Sequence, residues 1–270
     1  MTSLLRTVYY TLPPSVRILA RKIYYFPSIF THNKEDLLPP KALIYTGRGD
    51  YKSQGEFWFE FFKSNAGLLP EFNFLDIGSG VGRVAVPMVN YLKGDYEGFD
   101  VVKQGVDWCE SKITSKYPNF KFTYVDILND LYNSSKKKAE NYIFPYPDNK
   151  FQVACSISVF THMTDIEVKN YLKQTARVLS QNGKLVATFF ILDDKYDPET
   201  KGSFRFEFPE GECFLMDKHV KGANVAFDIR TIERYCNDAG LKIEKHFSGL
   251  WKEGKSDPNY FQDILILSKL

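Results

Sequence analysis

An α/β fold built on a mostly parallel sheet is predicted by three observations. Short apolar runs alternate with helical patterns between residues 74 and 125 in the order strand, helix, strand, helix, strand. Repeated units of that kind close into a parallel sheet with helices on both faces. The first run, Phe74-Leu-Asp76-Ile, leads directly into Gly78-Ser79-Gly80-Val-Gly82, where missing side chains let backbone N–H groups approach a ligand. The second and third runs each end on an acid, Asp100 and Asp126, on the side where open α/β sheets bind ligands.

Taken in order, residues 1–50 read as an N-terminal extension and residues 51–270 as the principal domain. Pro13 and Pro14 break the extension, Ser15 can cap a short helix through Tyr25, Pro27 ends it, and Pro39-Pro40 mark a second break. Ser53 and Glu56 have capping-box spacing for a helix over 53–65 with an apolar face of Phe57, Phe61 and Phe62. Gly67 and Pro70 stop it. The strand at 74 is followed by a helix over 84–92, a strand over 96–99, a helix over 106–117 and a strand over 121–125. After an interruption at 128–148 come a strand over 152–158, a helix over 165–179 that stops at Asn182-Gly183, and a strand over 185–192. A second irregular stretch fills 193–226. Asp228 starts the last helix, Gly240 ends it, and strands over 242–247 and 263–267 close the chain as an antiparallel hairpin around a loop holding Gly249, Gly254 and Pro258. That makes seven strands.

Both irregular stretches follow carboxyl ends of strands, so substrate recognition is expected there. In the second, Phe204, Phe206 and Phe208 alternate with Arg205 and Glu207, the pattern of a strand in a small lid hairpin with 213–216 as partner. A surface strand packed over the core would read the same way.

Composition narrows the class. The chain has 270 residues, 44% of them hydrophobic, and a net charge of +2, which suits one substantial core and excludes a disordered composition. Balanced charge, without a basic stripe interleaved with aromatics, argues against nucleic acid. Cys109, Cys155, Cys213 and Cys236 lack metal-type spacing and read as free buried thiols of a reducing, cytoplasmic protein; no metal is expected. No run of 18 apolar residues occurs, and Arg6, Arg17, Arg21 and Lys22 interrupt the start, so neither a spanning helix nor a signal peptide is predicted. Residues 4–30 mix Tyr, Phe, Ile and Leu with cations, the pattern of a membrane-surface helix or of a segment packed over the domain.

The glycines discriminate between cofactors. A dinucleotide fingerprint starting at Gly78 requires a third glycine at position 83, where Arg83 stands. The remaining motif, Asp76-x-Gly78-x-Gly80-x-Gly82, resembles the first motif of class I S-adenosylmethionine-dependent methyltransferases. Tyr96-Glu-Gly-Phe-Asp100, Gly105-Val-Asp-Trp-Cys109, Tyr117-Pro-Asn-Phe120, Tyr132-Asn133, Phe144-Pro-Tyr146, Ser158-Val-Phe-Thr-His162-Met163 and Gln262-Asp263 extend the resemblance over about residues 35–270. Together they are similar to a bacterial group of these enzymes associated with polysaccharide or secondary-metabolite gene sets. Ser79 stands where many members have Cys, and Gln152 where Asp commonly follows the Phe.

This resemblance implies a Rossmann-like, seven-stranded, mostly parallel sheet with one antiparallel strand beside the fifth, and S-adenosyl-L-methionine as cofactor. Asp76, Gly78, Ser79, Gly80 and Gly82 would lie near its methionine part, with Ser156 at the end of the fourth strand. Asp126 would accept from the adenine amino group, with the Ile127 backbone reading the ring edge. Asp100, followed by Val101, lies about twenty residues beyond the glycines, the place of a ribose-binding carboxylate. A helix cap or a solvated strand end would look alike. Arg83 could reach a carboxylate of cofactor or substrate, or pair with a surface acid.

His162 is the histidine near an expected strand carboxyl end, where an imidazole could take the proton of a hydroxyl acceptor as the methyl arrives. It could instead fix the turn by bonding backbone carbonyls. His32, His219 and His246 lack that placement. The reading is therefore O-methylation of a small-molecule or glycan-type acceptor, with Tyr142, Phe144, Tyr146, Phe204 and Phe206 expected to stack on a ring. Aminopropyl transfer on the same fold needs an acid-lined channel, against which Lys136-Lys-Lys138 argues. A cofactor-binding scaffold without catalysis is the other alternative.

Overall fold

In the computed structural model the described residues are 16, 19–20, 23–26, 37–45, 49–129, 131–133, 135–202, 204–255 and 259–270. The expected breaks at Pro13-Pro14 and Pro27, the Ser15 cap and Pro258 lie outside them, as does most of the 4–30 segment.

Helix α1 spans Tyr51–Phe61 and continues as a π-helical turn to Ala66, where Gly67 takes a left-handed φ of 69°. Its cap is Asp50, whose carboxylate accepts the Ser53 N–H at 2.9 Å, so the helix starts two residues before the predicted Ser53. The helix expected over 84–92 is instead a series of turns around a single 3-10 turn, Val86–Met88. Pro87 explains the difference, because it has no N–H to return to the Arg83 carbonyl. That carbonyl faces α1, where a Cβ on Gly55 would come within 2.6 Å of it.

Strands β1 (Phe74–Ile77), β2 (Tyr96–Asp100), β3 (Phe120–Tyr124) and β4 (Phe151–Ser156) are parallel in the order β3-β2-β1-β4. Helix α2 spans Lys103–Cys109, and α3 spans Asp165–Val178. The α3 helix ends one residue before the predicted Leu179, and β5 begins at once, running Leu179–Leu192 through the predicted Asn182-Gly183 stop. Asn182 sits inside β5 at a φ of 61° where the register with β4 shifts, so the turn residues mark a bulge rather than a helix end.

Among the described residues the sheet has ten strands rather than seven. Strand β5 is long enough to serve two partners. Its 184–189 section pairs antiparallel with β10 (Asp263–Lys269), which pairs with β9 (Leu241–Phe247), while residues 190–192 pair parallel with β8 (Val225–Asp228). Strands β6 (Phe208–Glu210) and β7 (Cys213–Leu215) extend that second branch as a hairpin. The hairpin falls near the predicted position, but its first strand starts at Phe208 because Phe204 and Phe206 are drawn into a cluster with Phe190, Trp251 and Phe261. Helix α4, Ile229–Asp238, connects β8 to β9.

Two apolar layers hold the sheet. On one face the rings of Phe74, Tyr96 and Phe120 stack across β1, β2 and β3 at 5.5 and 4.9 Å under α1 and α2. On the other face Phe99, Phe144, Phe151 and Tyr171 meet below α3. Each fully buried aromatic of this kind contributes roughly 1.5–3 kcal/mol. Rigid strands thereby deliver their carboxyl ends to one edge, and the functional groups collect there.

Candidate active site

A cavity of about 660 Å³ opens at the carboxyl ends of β1, β2, β4 and β5, within the roughly 300–1,000 Å³ range of small-molecule sites. Gly78, Ser79 and Gly80 form its floor. Gly78, Gly80 and Gly82 all adopt left-handed φ values, 81°, 56° and 77°. The Gly78 and Ser79 N–H groups donate to the Phe99 carbonyl at 2.9 and 3.0 Å, tying the loop to β2. A Cβ on Gly78 would meet Val159 at 2.4 Å, so this glycine admits the β4 turn. Gly82 does different work. It does not line the cavity, and its absent Cβ makes room for Ile113 and Cys109.

Asp100 lies at the centre of the cavity wall and is 8% exposed. Its carboxylate accepts the Gly80 N–H at 2.8 Å and the Val102 N–H at 2.8 Å. Burial pushes its pKa upward, opposed by these backbone donors. Val101 and Ile127 also line the cavity, and the Asn133 side chain clamps the two turns that carry them, donating to the Ile127 carbonyl at 2.7 Å and to the Val101 carbonyl at 3.3 Å. Asp126 is not brought to this group. It is exposed on the other side of the β3 end, 3.6 Å from Lys137, because Val125 and Ile127 take the inward positions.

Asp76 sits beneath the loop, its carboxylate accepting from the Tyr96 hydroxyl and, at 3.3 Å, from the Cys155 thiol. Asp76 still lines the cavity, where its expected contact with a methionine moiety would run through its backbone or a water while its carboxylate is bonded internally. Burial raises its pKa to about 6, the two hydrogen bonds pulling the other way and the Asp100 charge adding to the rise. A raised folded pKa means that the fold binds this proton more tightly than the unfolded chain, so stability falls as pH rises between about 4 and 6. Urea unfolding at the two ends of that window is expected to give a smaller pH slope for Asp76→Asn than for the wild type, by up to about 3 kcal/mol.

Across the cavity, β4 ends at Ser156 and the chain turns through a 3-10 turn at Phe160–His162. Ser156 is fully buried, with no hydrogen-bond partner for its hydroxyl, and does not line the cavity. Ser158 lines it instead, held at a left-handed φ of 57°. Its N–H donates to Thr188 Oγ1 at 2.7 Å, and its hydroxyl donates to Gln262 at 2.9 Å. A non-glycine residue in that conformation persists only where its surroundings over-determine it, as these bonds do. His162 Nδ1 lies 2.7 Å from the Gly222 carbonyl. A carbonyl can only accept, so Nδ1 carries a proton, and when the ring is neutral Nε2 is an acceptor.

Arg83 lines the cavity with its guanidinium 5.4 Å from the Tyr51 ring, and burial lowers its pKa against the pull of Tyr51 and Asp50. Of the aromatics expected to stack on substrate, Phe204 lines the cavity together with Phe261. Tyr142, Phe144 and Tyr146 pack instead around Phe99 and Tyr171, and Phe206 packs on Phe190 and Trp251. Tyr45, Thr188, Ser158 and Gln262 are among the cavity residues missed by sequence spacing; the last two appear there only within the family-like motifs.

One metal-like cluster appears among the described residues. Ligand atoms of Asp193, His246 and Asp263, far apart in sequence, lie within 4.8 Å of one another. The Lys252 ammonium already fills the cation's place, 2.6 Å from Asp193 and 2.9 Å from Asp263.

Comparison with known proteins bears on the family and the fold. A family profile described as a methyltransferase domain matches residues 46–246. A Pyrococcus horikoshii protein superposes with a TM-score of 0.56 at 16% identity, over 84% of this chain and 95% of that one. A SAM-dependent methyltransferase from Methanosarcina mazei gives 0.51 at 17% identity, over 75% and 94%. The cyclase SpnF gives 0.54 at 14% identity, over 83% and 84%. At these identities the structures establish a shared fold. The matched profile covers most of the chain, which belongs to the methyltransferase-domain family as an enzyme of the class I type with S-adenosylmethionine as its cofactor.

Proposed function

We propose that this enzyme methylates an oxygen of a small-molecule or glycan-type acceptor. The observation that carries the reading is His162, which lines the cavity and directs its Nδ1 proton to the Gly222 carbonyl. Its Nε2 can therefore accept the acceptor's hydroxyl proton. Bound S-adenosylmethionine supplies a methyl group on a positively charged sulfur. Asp100 would hold the ribose hydroxyls, the Val101 and Ile127 turns the adenine, and the Gly78–Gly80 loop and Arg83 the methionine end. The cradle fits such a group, since it combines left-handed glycines with a buried carboxylate and a cation.

On the acceptor side, Ser158, Thr188 and Gln262 offer neutral hydrogen-bonding groups, and Phe204 and Phe261 offer ring faces. These favour a hydroxyl-bearing acceptor and agree with the resemblance to the polysaccharide or secondary-metabolite group. The β6–β7 hairpin and the 193–207 segment beside Phe204 would act as the lid that excludes water. The His162→Ala variant is expected to lower kcat by about 10²–10⁴-fold while leaving S-adenosylhomocysteine affinity unchanged. Transfer of a labelled methyl group into sugar, lipid and phenol panels measures the first quantity, and calorimetry measures the second. Undiminished turnover would remove His162 from the chemistry.

The fold shared with the cyclase SpnF favours a second reading, cofactor binding without methyl transfer. A protein that binds S-adenosylhomocysteine but labels no acceptor in a metabolite extract would support it. The chain is proposed to work in the cytoplasm without nucleic acid. Among the described residues no helix is long and apolar enough to cross a membrane. Val16, Leu19, Ile23, Tyr24 and Phe26 are exposed, which supports a peripheral membrane contact through residues 1–30.

A further inference from the structure

Tyr45 belongs to the extension, just ahead of the residues matched by the family profile, yet its ring lines the cofactor end of the cavity. The 37–45 segment is anchored on the domain by buried Ala42, by Leu37 and Leu43 against the α1 layer, and by a 3-10 turn at Lys41–Leu43. Tyr45 itself packs edge-on against Tyr132 at 5.8 Å. Its hydroxyl points to Asp100, donating to Oδ1 at 3.4 Å. Helix α2 makes space for it at Gly105, where a Cβ would come within 2.5 Å of the Tyr45 oxygen. Burial, then the Asp100 charge, keeps the phenol protonated and hence a donor.

A carboxylate offers about four lone-pair positions. Gly80 and Val102 hold two of them at 2.8 Å, and the Val101 N–H adds its pull on the same carboxylate. Tyr45 takes another. A ribose diol needs two positions, so it cannot engage Asp100 fully while the phenol stays. The backbone donors are fixed by the fold, whereas the Tyr45 bond is long for an O–H···O contact, which is normally about 2.5–3.0 Å. It is the bond that gives way.

We propose that the Tyr45 hydroxyl occupies, in the cofactor-free enzyme, the position on Asp100 that a ribose hydroxyl takes on binding, so that cofactor entry displaces it. The extension is then a latch on the cofactor site. This inference rests on the assignment of Asp100 to the ribose.

Calorimetry on the full chain tests it with S-adenosylhomocysteine, adenosine and 2′,3′-dideoxyadenosine as probes. Tyr45→Phe keeps the ring and removes the competing bond, so it is expected to tighten S-adenosylhomocysteine and adenosine by about three- to tenfold. The dideoxy probe, which has no diol to compete, is expected to bind variant and wild type alike. A merely structural role for the hydroxyl would not separate the two nucleosides. Unchanged or weaker S-adenosylhomocysteine binding by a Tyr45→Phe protein with a wild-type melting curve overturns the latch, as does an equal gain for the dideoxy probe. The Asp100 assignment fails separately, if Asp100→Ala binds S-adenosylhomocysteine as tightly as the wild type.

Discussion

The Asp100→Ala variant is expected to bind S-adenosylhomocysteine about 100-fold more weakly than the wild type, the largest loss of affinity anticipated from any single change in the cavity. Hydrogen bonds to a charged partner are worth about 1.5–3 kcal/mol each. Two ribose hydroxyls on one carboxylate, less the desolvation that binding requires, leave about 3 kcal/mol at stake. The same change removes the acceptor of the Gly80 and Val102 N–H groups, and so loosens the glycine loop and the start of α2 together. Asp100→Asn separates the two effects. Its amide retains one acceptor oxygen but presents a donor to either Gly80 or Val102, so its affinity should fall between the other two proteins. Calorimetric affinities for the alanine variant and the wild type that agree within threefold would remove Asp100 from the site.

Period and spacing made Asp100 legible. A strand ending on an acid about twenty residues after a glycine turn brings that acid to the cavity, where Gly80 contributes both to the loop and to the carboxylate. The same reasoning misled at Asp126. It follows the end of a strand, but beyond Tyr124 the buried positions are taken by Val125 and Ile127, which leaves Asp126 exposed. Gly82 looked like part of the cradle because it completes the motif, whereas its role is to admit Ile113 and Cys109. Tyr45 gave no local signal. Its relation to Asp100 spans 55 residues and depends on Gly105 in a third element. The lost helix at 84–92 was legible in Pro87, since a proline there removes the N–H that would close the next turn. Of the extra strands, β6 and β7 were legible as a hairpin, whereas β8 was not, because it is only four residues long and depends on the end of β5 for a partner.

The acceptor side rests on a group remote from the chemistry, the fully buried carboxylate of Asp263 at the start of β10. It accepts from the Ile191 N–H at 3.0 Å, Trp251 Nε1 at 2.7 Å, His246 Nε2 at 2.8 Å, the Gly249 N–H at 3.0 Å and the Lys252 ammonium at 2.9 Å. Burial alone would raise its pKa, but the His246 bond, the Lys252 charge and the Trp251 bond outweigh it and hold the carboxyl below its ordinary value. Five donors from β5, β9 and the 249–252 turn thus converge on one residue next to Gln262 and Phe261, which line the cavity. Removing one partner of such a buried pair strands the others, so Asp263→Ala is expected to cost about 3–5 kcal/mol of unfolding free energy in urea. Because the folded pKa is depressed, this stabilisation is complete above the unfolded value, near 4, and is lost as pH falls through the folded one. The difference between wild type and Asp263→Ala should therefore be constant from neutral pH down to about 5 and shrink only in acid. A difference below about 1 kcal/mol at pH 7 would mean that the donors find other acceptors, and that Gln262 and Phe261 are held by their own packing rather than through Asp263.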